Sequence, residues 1–152
     1  QSIKKGDLLH YCLSLIDNIH NKSVEKLIEN ALQKAKLKFN FFSDWAQVKS
    51  QLKYMFQNKQ VLELFDLENT EILLEQEFVD KSGRLKRMDR VLVSTKDVTV
   101  IDYKSSAKFM EEYVLQIKEY CSVLKQIYPE KNIKSFLLYL DTMELEEIKC
   151  RE

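Results

Sequence analysis

Apolar residues recur at helical spacing through the first half of the chain. They mark one face of an α-helix in each of three segments, residues 4–20, 23–39 and 45–58. Ser23 is a candidate N-cap for the second helix, and Ser43 or Asp44 for the third. The pattern therefore predicts a helical N-terminal half.

The spacing of apolar positions changes to two after residue 70. Residues 71–80, 83–93 and 97–104 are predicted strands, separated by the turns DKSG and STKD. Residues 109–128 return to helical spacing, and Pro129 ends that helix. Residues 133–140 are a predicted buried strand, and residues 144–149 a candidate edge strand. The predicted buried stripe of the 109–128 helix contains Met110, Tyr113, Val114, Ile117, Cys121 and Leu124.

This order of elements predicts an α/β fold with a helical N-terminal half. A three-strand meander is followed by a helical crossover to a further strand, which gives a central mixed β-sheet flanked by helices. We treat residues 1–152 as a single domain, since that length suits one hydrophobic core. The first residue is Gln1 rather than Met, so we expect the domain to come from a longer chain.

The second and third predicted strands form a hairpin whose register can be read from its apolar pairs. If the STKD turn closes the hairpin 84–93/98–104 symmetrically, Val93 faces Val98 and Val91 faces Val100. Both pairs then lie on one face, whereas a shift of one residue would separate them. The apolar residues therefore predict a unique register.

The same register brings charged residues together at the other end of the hairpin. Asp89 faces Asp102, with Cβ atoms roughly 4.5–5.5 Å apart, and Arg87 faces Lys104. Two carboxylates this close repel, so either one is protonated or a cation lies between them. Oxygen ligands suit a hard divalent ion such as Mg²⁺. The alternative is an exposed sheet edge with incidental charges.

Composition excludes several classes of protein. With 45% hydrophobic and 32% charged residues, the chain is expected to be folded rather than disordered. No apolar run approaches the roughly 20 residues that span a bilayer and no signal peptide is evident, so we expect a cytoplasmic protein without membrane contact. Cys12, Cys121 and Cys150 are too scattered for a metal motif or a disulfide framework, and we expect them to be reduced.

Four short motifs together resemble the PD-(D/E)XK nucleases of the RecB and AddA type. They are GDLLH (6–10), MDR (88–90), VIDYKSS (100–106) and YVLQIKEY (113–120), in the order found in that family. None of the motifs is specific alone, but the ordered set extends from Gly6 to Tyr120. The resemblance implies a restriction-endonuclease-like core and a metal-dependent hydrolysis of phosphodiester bonds in DNA.

The resemblance also implies a role for each matching residue. His10, Asp89, Asp102 and the backbone carbonyl of Tyr103 would bind Mg²⁺ or Mn²⁺. Lys104 would orient or activate the attacking water and stabilise developing negative charge. Gln116 and Tyr120 would line the site from the helix. An additional acid often precedes the hairpin in such relatives, and either Glu75 or Glu77 could occupy that place.

Two features of the sequence depart from the family pattern. Arg87 stands where a small residue is usual, two positions before the first aspartate, and could grip a DNA phosphate or crowd the site. Arg87 and Lys108 are accordingly the candidate DNA contacts. Three scattered cysteines cannot form the iron–sulfur cluster of some relatives, including the CRISPR-associated exonucleases, so no cluster is expected.

The sequence therefore predicts a Mg²⁺-dependent deoxyribonuclease, with exonuclease action preferred. By resemblance, it would be the nuclease part of a helicase–nuclease that processes DNA ends in recombinational repair, with a helicase domain in the same chain or complex. Three alternatives stay open: an inactive DNA-binding scaffold of the same fold, a structure-specific endonuclease or RNA-processing enzyme, and a helical interaction domain.

Overall fold

The computed structural model describes residues 2–150, which separate into two compact units. The first unit ends at Glu68 and is helical, and the second begins at Asn69 and contains the sheet. The helices of the first unit are α1 (Ser2–Ser14), α2 (Val24–Lys38), α3 (Trp45–Met55) and the single turn α4 (Lys59–Leu62). The predicted helical half is thus confirmed.

Local hydrogen bonds explain where these helices begin and end. The Ser23 side chain accepts the N–H of Lys26, as predicted, and Asp44, one of the two candidates for the third helix, accepts that of Gln47. The predicted first helix was too long, because it stops at Ser14 rather than reaching residue 20. Ile19 donates its N–H to the carbonyl of Phe65 at 2.9 Å, which replaces a helical partner.

A five-stranded mixed sheet and one helix make up the second unit. The strands are β1 (Glu71–Val79), β2 (Leu85–Val93), β3 (Asp97–Lys104), β4 (Asn132–Tyr139) and β5 (Glu144–Ile148), and they lie in that order across the sheet. The β1–β2–β3 meander is antiparallel, β4 runs parallel to β3, and β5 closes the edge antiparallel to β4. Helix α5 (Met110–Ile127) forms the crossover between β3 and β4. The predicted α/β fold with its mixed sheet is confirmed.

Helix α5 packs one face on the sheet and builds the core of the second unit. Ile117 and Leu124 are fully buried against Val100 and Leu137. The prediction of a buried stripe is wrong for Met110, which lies in the first turn and is 43% exposed. The start of α5 therefore extends beyond the apolar surface that the sheet offers.

The prediction that all cysteines are reduced is wrong for two of the three. Cys121 on α5 and Cys150 after β5 form a disulfide, with Cα atoms 5.7 Å apart. They lie 29 residues apart in sequence, and only the packing of α5 beside β5 brings them together. Cys12 is free and buried. Within residues 2–150, no helix has both the length and the apolar character needed to cross a bilayer.

Candidate active site

The β2–β3 ladder has the predicted register over its apolar half. Val93 pairs with Val98, Val91 with Val100, and the last pair of the described ladder is Arg90 with Ile101. The register of the two strands is described up to that pair. The predicted opposition of Asp89 and Asp102 therefore falls just past the end of the regular pairing.

The side chain of Asp89, rather than a backbone carbonyl, accepts a hydrogen bond from β3. Its Oδ2 accepts the backbone N–H of Tyr103 at 2.8 Å, and the carboxylate is buried. A buried carboxylate needs hydrogen-bond donors, and this N–H is one that the interrupted strand pairing leaves available. The strand end thus fixes Asp89 beside Asp102.

Asp102 is buried and next to that first carboxylate. Burial, followed by the charge of Asp89 and a hydrogen bond with it, raises the pKa of Asp102 to about 8. The Lys104 ammonium opposes the shift from 2.9 Å away, at Asp102 Oδ2. The two acids were thus predicted correctly as neighbours, and one lysine does not offset the cost of holding both charged.

Lys104 is held in place from the helix side. Its Nζ donates a hydrogen bond to Gln116 Oε1 at 2.6 Å and lies 4.7 Å from the centre of the Tyr113 ring. Lys104 and Gln116 are therefore direct partners, as their common placement at the site implied. Tyr120 is buried, its hydroxyl donates to the carbonyl of Arg87 at 3.3 Å, and burial raises the pKa of that hydroxyl.

Glu75 interrupts β1 directly opposite Asp89. Its φ of 50° lies in the left-handed region, which is costly for a residue with a Cβ. Before Glu75, the core contains Leu73 and its partner Val91, whereas after it the core contains Phe78 and Met88. The side that faces the core thus changes from odd to even residue numbers at this point.

This change of side explains which additional acid lies near the site. One carboxylate oxygen of Glu75 lies within 4.8 Å of one of Asp89, whereas Glu77 is exposed and pairs with Arg87 in the ladder. Sequence alternation alone could not separate the two glutamates, because they share parity along the strand. The structure favours Glu75.

Arg87 does not face Lys104, and that prediction is wrong. The ladder ends at Arg90, and the change of side at Glu75 and Asp89 turns Arg87 away from the α5 face. Its guanidinium instead contacts Glu75 Oε1 at 2.8 Å, with 62% of the side chain exposed. Arg87 therefore does not crowd the lysine.

Two predicted site residues remain, Lys108 and His10. Lys108, in the segment between β3 and α5, places its ammonium 5.4 Å from the centre of the Phe109 ring. His10 is half-buried on α1, in the first unit.

Sequence reasoning missed the most deeply buried charged residue of the second unit. Arg90 has no exposed surface, and its charge acts on the hydroxyl of Tyr103, whose pKa burial raises. A charged residue beside the apolar run of residues 91–93 was the available signal. Arg90 and Tyr103 are thus buried polar residues directly next in sequence to Asp89 and Asp102.

The donor set fits a hard divalent cation. Asp89 has a neighbouring acid on each adjacent strand: one carboxylate oxygen of Glu75 on β1 lies within 4.8 Å of one of Asp89, and Asp102 on β3 shares a hydrogen bond with Asp89. Carboxylate oxygens are the ligands that such an ion prefers. Burial first, and the charge of Asp89 second, raise the pKa of Asp102, so both oppose its ionised form. A bound cation would offset both effects, so the acidic cluster can hold a metal ion.

The comparison with known families agrees with this geometry. A family model described as the PD-(D/E)XK nuclease superfamily matches residues 1–151, and the chain belongs to that superfamily. No curated protein matches the chain. Membership implies a nuclease, a hydrolase of phosphodiester bonds that uses divalent metal ions, on a restriction-endonuclease-like fold.

Proposed function

We propose that this chain is a Mg²⁺- or Mn²⁺-dependent deoxyribonuclease. The observation that supports it most is the convergence of Asp89, Asp102 and Lys104 at the end of β3, with both acids buried and the ammonium 2.9 Å from one of them. An incidental surface cluster would leave such acids in water. Burying them has a cost that makes sense if a cation binds there.

The proposed metal ligands are the two aspartates and three further groups. Asp89 and Asp102 supply carboxylate oxygens, Tyr103 its backbone carbonyl, and His10 a nitrogen. Glu75, within 4.8 Å of Asp89, is the additional acid. A divalent ion bound there supplies charge neutralisation and lowers the pKa of water.

The protein's own groups would do the remaining work at the phosphate. Lys104 presents a fixed ammonium to the oxygens on which negative charge accumulates as water adds to phosphorus and the P–O bond breaks. Gln116, accepting from Lys104 at 2.6 Å, orients that ammonium without a second charge. Tyr120 holds the end of β2 through the Arg87 carbonyl and so supports Asp89 indirectly.

DNA is the proposed substrate, and two cations are its proposed contacts. Lys108 lies four residues after Lys104, which ends β3. We propose that it contacts the phosphate next to the one being cleaved. Arg87, beside Glu75, would meet the backbone on the β1–β2 side. Exonuclease action in DNA-end repair, with a helicase domain in the same chain or complex, is the proposed setting.

We place this activity in the cytoplasm and treat residues 1–152 as one nuclease domain. Cytosolic thiols are generally kept reduced, so there the Cys121–Cys150 bond would be expected to open.

The test compares degradation of end-labelled linear DNA by wild type and Lys104→Ala, with Mg²⁺, Mn²⁺ or chelator. We expect metal-dependent cleavage that falls ~10²–10³-fold in the variant. Lys134→Ala is the matched control, because Lys134 is a half-exposed lysine at the opposite end of the sheet, 3.8 Å from Asp97. It should cleave as wild type does.

The substrates distinguish the remaining functions. Closed circular DNA left intact would support an exonuclease, and its cleavage would support an endonuclease. Preferential cleavage of RNA would indicate an RNA-processing enzyme. If wild type bound DNA but cleaved it no faster than Lys104→Ala does, only the scaffold function would be left.

A further inference from the structure

An unusual residue begins helix α5, next to the proposed active site. Phe109 occupies the N-cap, makes no side-chain capping hydrogen bond and is 49% exposed. Ser, Thr, Asp and Asn are preferred at N-caps because their oxygens satisfy free N–H groups. Phenylalanine supplies no such oxygen and also leaves half of its surface in water, so neither capping nor core packing explains it.

The Phe109 ring is the outer member of an aromatic pair that reaches Lys104. Phe109 and Tyr113 pack edge to face, with ring centres 6.4 Å apart and planes at 82°. The Lys104 ammonium lies 4.7 Å from the centre of the Tyr113 ring. One turn of helix thus connects the proposed catalytic lysine to an exposed aromatic ring, and we call Phe109 and Tyr113 the aromatic platform.

A positive charge accompanies the exposed end of the platform. Lys108 Nζ lies 5.4 Å from the Phe109 ring centre. A nucleotide has a flat base and an adjoining phosphate, and an exposed ring with a neighbouring ammonium matches both parts. A base inside a duplex is already stacked on both faces, so only an unpaired base can use the ring.

We propose that Phe109, supported by Tyr113, stacks on an unpaired nucleobase next to the phosphate at Lys104. Lys108 meets the phosphate of that same nucleotide. The inference rests on the proposed nuclease function and adds its substrate class: a single-stranded or frayed DNA end rather than an intact duplex.

The test uses binding, so that cleavage does not confuse the result. In an Asp102→Asn background, fluorescence anisotropy measures the Kd for a labelled single-stranded oligonucleotide and for the same backbone with abasic sites throughout. Adding Phe109→Ala should weaken binding of the normal strand about tenfold, which corresponds to about 1.4 kcal/mol. It should leave binding of the abasic strand unchanged, because no base is present to stack. Phe109→Trp should retain the affinity for the normal strand.

Leu115→Ala is the matched control. Leu115 is another exposed apolar residue of α5, 67% exposed, and lacks an aromatic face. Its removal should change neither Kd. Cleavage provides a second measurement: in the otherwise wild-type protein, Phe109→Ala should reduce the preference in kcat/KM for single-stranded over blunt duplex DNA.

The outcomes separate this inference from the function on which it rests. Equal losses on normal and abasic strands, or no loss on either, would overturn base stacking while leaving a DNA nuclease in place. Failure of the wild-type protein both to bind and to cleave DNA would overturn the proposed function, and base stacking with it.

Discussion

The two halves of the β2–β3 hairpin follow opposite rules. Next to the turn, Val91 pairs with Val100 and Val93 with Val98, in a regular ladder over an apolar core. At the far end the described ladder stops after Arg90, and two buried aspartates are neighbours. One half is built from mutually favourable contacts, and the other from contacts that repel.

The difference shows how a stable sheet can hold an unfavourable site. The half next to the turn, which we call the valine half, fixes the register of the hairpin. That register determines which residues lie where the pairing ends, in what we call the charged half. The left-handed backbone at Glu75 then interrupts the pairing of β1 with β2 opposite Asp89. Strain and charge repulsion at such a place are tolerated because the neighbouring core supplies the stability.

The largest expected effect comes from changing the charged half. Asp102→Asn preserves the shape of the side chain but removes a proposed metal ligand and the partner of Lys104. We expect kcat/KM for linear DNA to fall at least ~10³-fold, since a carboxylate at the cation and the ion pair are both lost. Steady-state cleavage with Mg²⁺ and with Mn²⁺ measures this.

Asp97→Asn is the control for that variant. Asp97 lies at the other end of the same strand, in a long ion pair with Lys134 at 3.8 Å. Its cleavage rate should match that of wild type. Comparable activity of Asp102→Asn and wild type would mean that the buried acids are structural.

The next largest effect comes from the valine half. Val100→Ala removes two buried methyl groups from the core under α5. At about 0.8 kcal/mol per buried carbon plus a cavity cost, we expect unfolding to become easier by about 2–3 kcal/mol. Denaturant unfolding measures the change, and cleavage per folded molecule should be retained. A loss of activity without a loss of stability would contradict the division between the two halves.

The charged half should also make stability depend on pH. Folding raises the pKa of Asp102 to about 8. Protonation of Asp102 therefore stabilises the metal-free fold, and this contribution is complete below about pH 4, the ordinary pKa of an aspartate. The contribution is lost as the pH rises through the raised pKa. Asp102→Asn cannot lose a proton. We therefore expect the variant to match wild type near pH 4 and to be more stable by ~1–3 kcal/mol at pH 8, since one pKa unit corresponds to about 1.4 kcal/mol.

Thermal unfolding in chelator across that pH range measures the difference between the two proteins. Taking the difference cancels the titration of all other groups. If wild type were as stable as Asp102→Asn at pH 8, or more stable, the Lys104 ion pair would outweigh the burial of Asp102 and its repulsion by Asp89. Added Mn²⁺ should reverse the order of stability at pH 8, because only wild type retains both aspartates.

The fold was predictable wherever periodicity and caps determine it. The valine pairs predicted the hairpin register, Ser23 predicted the start of α2, and the choice between Ser43 and Asp44 predicted the start of α3 to within one residue, because each depends on local chemistry. The Cys121–Cys150 bond depends on two elements far apart in sequence, and spacing contained no sign of it.

The site was predictable up to the point where alternation fails. The register placed Asp89 near Asp102, and motif order pointed to Lys104 and Gln116. Arg87 was misplaced because strict alternation was assumed through Asp89, while Glu75 at positive φ reverses it. A glutamate in that conformation has no sequence signature, since glycine or asparagine is the usual sign.

A smaller effect is expected from the residue that positions the lysine. Gln116→Leu keeps the approximate size of the side chain but removes the acceptor of the Lys104 hydrogen bond. A hydrogen bond to a charged group contributes about 1.5–3 kcal/mol, so we expect kcat to fall at least about tenfold while KM changes little. Glu119→Gln, which removes an exposed acid three residues along α5, is the control. A change confined to KM would instead indicate that Gln116 contacts DNA.

The smallest effect, and the one that settles the role of Arg87, is on salt dependence. Arg87→Ala removes an exposed pair with Glu75, which contributes only ~0–1 kcal/mol to stability. If Arg87 also meets a phosphate, the slope of log K for DNA against log salt should decrease by about 1. Arg84→Ala is closely matched, because Arg84 is an exposed arginine paired with Asp80 at 3.1 Å in the β1–β2 turn. An equal slope for wild type and Arg87→Ala would mean that Arg87 serves only to hold Glu75, and the charged half of the hairpin would then meet DNA through Lys104 and Lys108 alone.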